Sequence, residues 1–139
     1  MYIPFAKLDV RNTPALNKVF EQYSIDTVIH TASFKSLEES VLKPLEYYND
    51  NVSSIMSLLR SMQRTGVRRL VHLSSIAVYG KSGLNLEESQ SFNYTYPNPY
   101  VKSQQMVEEI IRDTFRTDHE WNIAILRLSN IAGAFEHGI

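Results

Sequence analysis

The stretch "IDTVIHTA", residues 25–32, is almost continuous in apolar and β-branched side chains. A strand covered on both faces has this composition, whereas a strand with one face in water alternates apolar and polar residues. Two later stretches have the same character: "RRLVHLSS", residues 68–75, and "WNIAILRLSN", residues 121–130. A short run at the start, "IPFAKLDV", residues 3–10, is a further candidate strand. These runs predict the strands of a parallel sheet.

Segments with helical periodicity separate the strands. Asn12 is placed to cap a first helix, whose apolar face carries Leu16, Val19, Phe20 and Tyr23. A second helix is predicted from Pro44 to Gly66, with proline in its first turn and glycine at its end. A third is predicted from the Asn98-Pro99 pair to about residue 116. Residues 33–44 are interpreted as a polar connection.

This alternation predicts an α/β fold in which helices pack on a parallel sheet. The length of 139 residues fits one domain, 1–139, and is long enough to bury a core.

The composition argues against several classes of function. Fourteen Lys and Arg against fifteen Asp and Glu give a formal charge of -1, so no nucleic-acid partner is expected. The chain has no cysteine and its four histidines show no ligand spacing, so no metal site is expected. The N-terminus lacks a signal-peptide pattern and no apolar run approaches the ~18 residues of a membrane span. A cytoplasmic protein without a membrane partner is therefore predicted.

Polar side chains follow each predicted strand. In open α/β sheets ligands bind beyond the carboxyl ends of the strands, so these residues are candidates for one cleft. Each taken alone is more often a turn former or a cap. The candidates are Ser33, Lys35, Ser74, Ser75, Tyr79 and Asn130, together with Tyr100 at the start of the third helix.

Two motifs carry a family resemblance. "VHLSSIAVYG", followed about twenty residues later by "NPYVKS", resembles the active-site arrangement of the extended short-chain dehydrogenase/reductase superfamily. More narrowly, "IDTVIHTASFKSLEESVLKPLEYYNDNV" is similar to the UDP-glucose 4-epimerase family. The resemblance runs from "LDVRN" to "NIAGA" and implies a Rossmann-like parallel sheet flanked by helices. It also implies tightly bound NAD and interconversion of UDP-glucose and UDP-galactose through a 4-keto sugar.

The resemblance implies roles for individual residues. Tyr100 matches the tyrosine that takes the proton of the sugar 4-hydroxyl, and Ser75 matches the serine that hydrogen-bonds the same oxygen. Gln104 occupies the position of the family's lysine. Lys102 cannot replace that lysine, because it lies about 200° around the helix from Tyr100. Positions matching the NAD site are Asp9, Val10, Ala32, Lys35 and Asn51, and Asn130 matches a contact to the UDP-sugar phosphates.

Two features depart from the family. A neutral amide at position 104 brings no charge to lower the tyrosine pKa, so weak activity or none is predicted. The diphosphate-binding G-x-x-G-x-x-G turn is also absent, since the five glycines form no such motif. We therefore expect the sheet to lack the family's first β-α unit, so that the chain is an internal segment of an epimerase-like protein, either a truncated gene product or a chain that needs a partner. Apolar surface beside the strand in residues 25–32 should then be exposed.

Several readings stay open. One is an NAD-dependent epimerase, and a second is a non-catalytic binding or interaction module of the same descent. Other sugar-nucleotide dehydratases and reductases share the serine and the tyrosine. A serine hydrolase using Ser74 or Ser75 is disfavoured, because no G-x-S-x-G motif is present. A homodimer through helices 44–65 and 98–116 is a further implication of the resemblance.

Overall fold

The computed structural model describes residues 3–80 and 85–133. Gly83 and Gly138, two of the glycines considered above, lie outside these ranges. The elements are α1 (Thr13–Gln22), β1 (Thr27–His30), α2 (Leu37–Leu42), α3 (Pro44–Thr65), β2 (Arg69–Ser75), a 3-10 helix (Ile76–Tyr79), α4 (Pro99–Thr117) and β3 (Asn122–Leu128). In the described ranges, no helix is both long enough and apolar enough to cross a bilayer.

The three strands form one parallel sheet in the order β1-β2-β3. In the register of the sheet, Leu70 of β2 lies between Val28 of β1 and Ile123 of β3. The helix α3 connects β1 to β2 and the helix α4 connects β2 to β3, as parallel crossovers require, so the α/β prediction is confirmed. β1 and β3 are shorter than the apolar runs that predicted them.

The helix ends follow the predicted signals. The Asn12 side chain accepts the Ala15 N–H at 3.1 Å, and the Asn98 side chain accepts the Val101 N–H at 3.2 Å. Gly66 ends α3 with a φ of 78°, a left-handed conformation that is strained for residues with a Cβ. The first residue of α3 is Pro44, as predicted.

The polar connection over residues 33–44 contains a short helix that was not predicted. Leu37–Leu42 form the short helix α2. Its start is fixed by Ser36, whose Oγ accepts the Glu39 N–H at 3.2 Å. Glu38 and Glu39 in the first turn also favour a helix, because their charges complement the helix dipole.

The first apolar run does not join the sheet. Residues 3–9 have no regular secondary structure, so the candidate strand in residues 3–10 is wrong. Leu8 and Val10 are partly buried against the core instead. An extended segment becomes a strand only when a neighbouring strand pairs with it, and β1 pairs only with β2 in the described part of the chain.

The core lies on one face of the sheet. Leu70 of β2 packs there with apolar residues of α1, α3 and α4, including Phe20, Met62 and Ile111. On the other face, Ile29 of β1 is 67% exposed and Leu126 of β3 is 44% exposed. Parallel sheets are normally covered on both faces. The predicted exposure of apolar surface beside residues 25–32 is therefore confirmed.

Candidate functional site

A cleft of about 970 Å³ opens at the carboxyl ends of the three strands. The residues of the described chain that line it include one cation, Lys35, and no Asp or Glu. Predicted site residues from all three strand ends and from α4 meet in this cleft. They are Ser33, Lys35, Ser74, Ser75, Tyr100, Gln104 and Asn130.

Tyr100 and Gln104 lie one turn apart at the start of α4 and both line the cleft. Gln104 is only 2% exposed, and its Oε1 has no hydrogen-bond partner among the described residues. Lys102 lines a different groove, together with Tyr94 and Met106. The prediction that Lys102 faces away from Tyr100 is confirmed, and the side chain beside Tyr100 on α4 is a neutral amide.

The two serines at the end of β2 have different partners. Ser75 caps the 3-10 helix by accepting the Ala77 N–H at 3.1 Å, which leaves its hydroxyl proton available to a ligand. Ser74 donates its hydroxyl proton to Glu108 at 2.6 Å. Of the two, Ser75 therefore has the free donor that the predicted role requires.

The structure gives no support to a serine hydrolase. His30 and His72 are buried, and their Nδ1 atoms lie 3.1 Å apart, so the two rings are hydrogen-bonded to each other. Within the described residues, no histidine hydrogen-bonds Ser74 or Ser75. The arrangement therefore lacks the base that a serine nucleophile needs.

Sequence reasoning missed a buried ionic network beside the cleft. Glu108 is fully buried and accepts hydrogen bonds from Arg127 at 2.9 Å and from Arg112 at 2.9 Å. Arg127 also donates to the Tyr79 hydroxyl at 2.6 Å. The hydrogen bond to Glu108 raises the pKa of Arg127 above its usual value, and the hydrogen bond to Tyr79 adds a smaller effect in the same direction. Glu108 lies eight residues after Tyr100, about two turns along α4. This spacing on one helix face is visible in the sequence and could have pointed to Glu108.

The remaining predicted cofactor residues do not line the cleft. Asp9 is exposed and forms a two-pronged ion pair with Arg11, whose hydrogen bonds lower the pKa of that carboxyl to about 2. Val10 is partly buried against the core, and Ala32 is exposed in the loop after β1. Asn51 is 2% exposed, and its side-chain amide binds Phe34 and Ser103.

Comparison with known proteins places these features in a family. The profile of the NAD dependent epimerase/dehydratase family matches residues 2–138. The chain belongs to this family. It is 45% identical over 98% of its length to UDP-glucose 4-epimerase 2 of Oryza sativa subsp. japonica, of which it covers 33%.

Solved structures agree with this assignment. UDP-glucose 4-epimerase from Bifidobacterium longum, in complex with NAD+ and UDP, superposes with a TM-score of 0.90 at 38% identity. The match covers 95% of this chain and 39% of that one. UDP-glucose-4-epimerase from Stenotrophomonas maltophila, with bound NAD and formylated UDP-arabinopyranose, gives 0.82 at 35% identity, covering 88% of this chain and 36% of that one. The chain thus has their Rossmann-like fold and spans between a third and two fifths of their length.

Proposed function

We propose that the cleft binds NAD and a UDP-sugar and supports slow 4-epimerisation, interconverting UDP-glucose and UDP-galactose. One observation carries the proposal: Ser75, Tyr100, Lys35 and Asn130 come from four separate segments and line one cleft. The similar structures from Bifidobacterium longum and Stenotrophomonas maltophila, which contain NAD and uridine nucleotides, support the same ligands here.

The residues present fit the reactive end of the cofactor. The unpartnered Oε1 of Gln104 is a buried acceptor that a ligand hydroxyl or amide would satisfy. Hydroxyl and amide groups share the rest of the cleft with apolar side chains, and Lys35 is the cation among the described residues that line it. The described residues contain no glycine-rich turn that opens a helix, so we assign no residue to the cofactor's diphosphate. When bound, NAD supplies reversible oxidation of an alcohol carbon.

The chain's own residues have distinct roles in this proposal. The Tyr100 hydroxyl, once deprotonated, takes the proton of the sugar 4-hydroxyl and returns it later. The Ser75 hydroxyl donates a hydrogen bond to the same sugar oxygen. Lys35 offsets the charge of the ligand phosphates, and Asn130 hydrogen-bonds them.

Gln104 limits the rate. A tyrosine can take a proton only as its phenolate, and a nearby cation stabilises that form. A unit charge about 4 Å away is worth on the order of 4 kcal/mol at an effective dielectric of 20. Because the amide of Gln104 carries no such charge, we expect the Tyr100 mechanism to be slow.

The neutral side chain of Gln104 also favours a second candidate function. A cleft that keeps its ligand-binding groups while lacking the cation beside the tyrosine can bind nucleotide without turnover. In that case the protein acts as a binding or interaction module of the same family.

Ligand-dependent melting tests the proposal. A ligand that binds only the folded state raises the melting temperature. We expect NAD and UDP, each at saturating concentration, to raise the Tm of the chain. Incubation with NAD and UDP-galactose, followed by chromatography of the sugar nucleotides, then distinguishes the candidate functions. UDP-glucose indicates an epimerase, a dehydrated or reduced sugar indicates a related enzyme, and binding without product indicates the binding module.

We further propose that two copies associate through the outer face of α3 and α4. Met106 is 47% exposed at the centre of this face, beside Tyr48 and Val52 of α3. Met56 of α3 is 36% exposed. Exposed methionines between two long, adjacent helices are suited to packing against the same face of a second copy.

A further inference from the structure

The backbone on both sides of Lys35 is hydrogen-bonded to side chains of α3. The Phe34 N–H donates to Asn51 Oδ1 at 2.8 Å, and Asn51 Nδ2 donates back to the Phe34 carbonyl at 3.1 Å. On the other side of Lys35, the Ser36 N–H donates to the Tyr47 hydroxyl at 3.1 Å. Both backbone neighbours of the lysine are therefore fixed, although Lys35 itself is exposed.

The two anchoring side chains are one turn apart on α3 and are almost completely buried. Tyr47 is 1% exposed and Asn51 is 2% exposed. Their hydrogen bonds join these buried side chains to an exposed loop, so losing one frees the backbone N–H of Phe34 or Ser36 to exchange with solvent.

The hydrogen bonds of Asn51 fix the orientation of its amide. Its oxygen faces a donor, the Phe34 N–H, and its nitrogen faces two acceptors, the Phe34 carbonyl and Ser103 Oγ at 2.8 Å. A flipped amide would place N–H against N–H and oxygen against oxygen. Both protons of Nδ2 are thereby used within the protein.

The same clamp reaches the helix that carries Tyr100. Ser103 Oγ, which accepts from Asn51, donates to the Tyr100 carbonyl at 2.7 Å. The Tyr47 ring also lies edge-on to the Tyr100 ring, with centroids 6.5 Å apart. Tyr47 and Asn51 therefore contact both the Lys35 loop and the start of α4.

We infer that Tyr47 and Asn51 are positioning residues, which clamp the backbone on either side of Lys35 and so set this cation against Tyr100 in the cleft. The inference rests on the proposed function for the identity of the ligand, a nucleoside diphosphate. It assigns Asn51 a different role from the direct cofactor contact that the family resemblance implied. Since Gln104 is neutral, Lys35 is the cation that the described residues lining the cleft present to an anionic ligand.

Amide hydrogen exchange of the ligand-free chain tests the clamp directly. Asn51→Leu keeps the branched shape of the side chain and removes its hydrogen bonds, while Tyr47→Phe removes only the hydroxyl. We expect Asn51→Leu to speed exchange of the Phe34 amide at least tenfold, and Tyr47→Phe to do the same for Ser36. Asn122→Ala, at an exposed position on β3, serves as the control and should change neither amide. Unchanged exchange at Phe34 in Asn51→Leu overturns the inference, and Tyr47→Phe decides the case at Ser36 if Asn51→Leu does not fold.

Titration with UDP tests the consequence for the ligand. Lys35→Met should weaken UDP binding at least fivefold at low salt, with a smaller effect as ionic strength rises. Asn51→Leu should lose affinity in the same direction. If Lys35→Met weakens binding and Asn51→Leu does not, the clamp does not position the lysine and the inference is wrong. If the unaltered chain binds neither UDP nor NAD, the proposed function fails, and the exchange experiment still decides whether the clamp exists.

Discussion

His30 on β1 and His72 on β2 are paired in the sheet register, and their Nδ1 atoms lie 3.1 Å apart. A neutral imidazole carries one N–H, so one ring donates and the other accepts. Both Nε2 atoms are buried without a partner in the described structure. Burial lowers the pKa of both rings to about 4, and for His72 the nearby His30 adds to this effect.

This pair should make the fold sensitive to acid. Unfolded histidines titrate near pH 6.5, so between about pH 6.5 and 4 the unfolded state binds more protons than the folded state. The free energy of unfolding is therefore expected to fall as the pH drops through this window, by on the order of 3 kcal/mol per histidine. Denaturant unfolding between pH 5 and 7.5 measures the slope.

Two variants identify the source of this pH dependence of stability. His72→Phe should reduce the slope, because the proton uptake of one buried ring is lost. His119→Gln alters an exposed histidine and should leave the slope unchanged. Equal slopes in all three proteins would mean that the buried pair does not control acid stability.

Gln104→Lys should increase turnover by restoring a cation one turn from Tyr100 on the same face of α4. The charge favours the phenolate, so the pH at which activity rises should also move down. We expect at least a tenfold gain in the rate of UDP-galactose conversion in the presence of NAD. Lys102→Gln changes a charge on the other side of the helix and should have no effect on the rate. A chain that binds NAD yet gains nothing from Gln104→Lys would show that the missing charge is not what limits it.

Ser74→Ala and Ser75→Ala should separate stability from ligand chemistry. Ser74 donates to the buried Glu108 carboxylate at 2.6 Å, so its removal should cost about 1.5–3 kcal/mol of unfolding free energy. Ser75 only caps a short 3-10 helix within the protein, so Ser75→Ala should lose activity with a smaller change in stability. Melting curves and product formation measured on both variants check this, and the reverse pattern would assign the ligand contact to Ser74.

Glu108→Ala should be among the most destabilising changes in the chain. It leaves the Arg127 side chain, only 11% exposed, without its carboxylate partner, which typically costs 3–5 kcal/mol. The matched control is Arg116→Ala, which breaks an ion pair between two well-exposed side chains and should change stability by less than about 1 kcal/mol. Urea denaturation compares the two. Similar effects from both would mean that solvent reaches the Glu108 network.

Local signals in the sequence predicted most of the fold. Asn12, Pro44, Gly66 and Asn98 act on residues within one turn of themselves, so the helix ends were readable from the sequence. The cleft followed from the rule that ligands bind at the carboxyl ends of parallel strands. α2 was missed because its polar residues suited a loop equally well.

The partners of the buried polar side chains could not be predicted in the same way. Asn51 binds backbone atoms 17 positions away, and Glu108 pairs with an arginine 19 positions away. Such pairs depend on how α3 and α4 are oriented on the sheet, which neither periodicity nor spacing determines. The family resemblance implied a cofactor contact for Asn51, and only the structure shows that its amide is bound to Phe34 and Ser103.

Met106→Glu should disrupt the proposed association of two copies. The substitution places a charge at the centre of the α3–α4 face, and burying it without a partner in an interface would be unfavourable. The variant should therefore sediment as a monomer at concentrations where the unaltered chain sediments as a dimer, while its helical circular dichroism stays the same. Phe115→Glu is the matched control, because Phe115 is similarly exposed, at 44%, and lies near the end of α4, outside the grooves around Met106. A monomeric unaltered chain would rule out the proposed association. A dimer that Met106→Glu leaves intact and Phe115→Glu dissociates would place the association surface elsewhere.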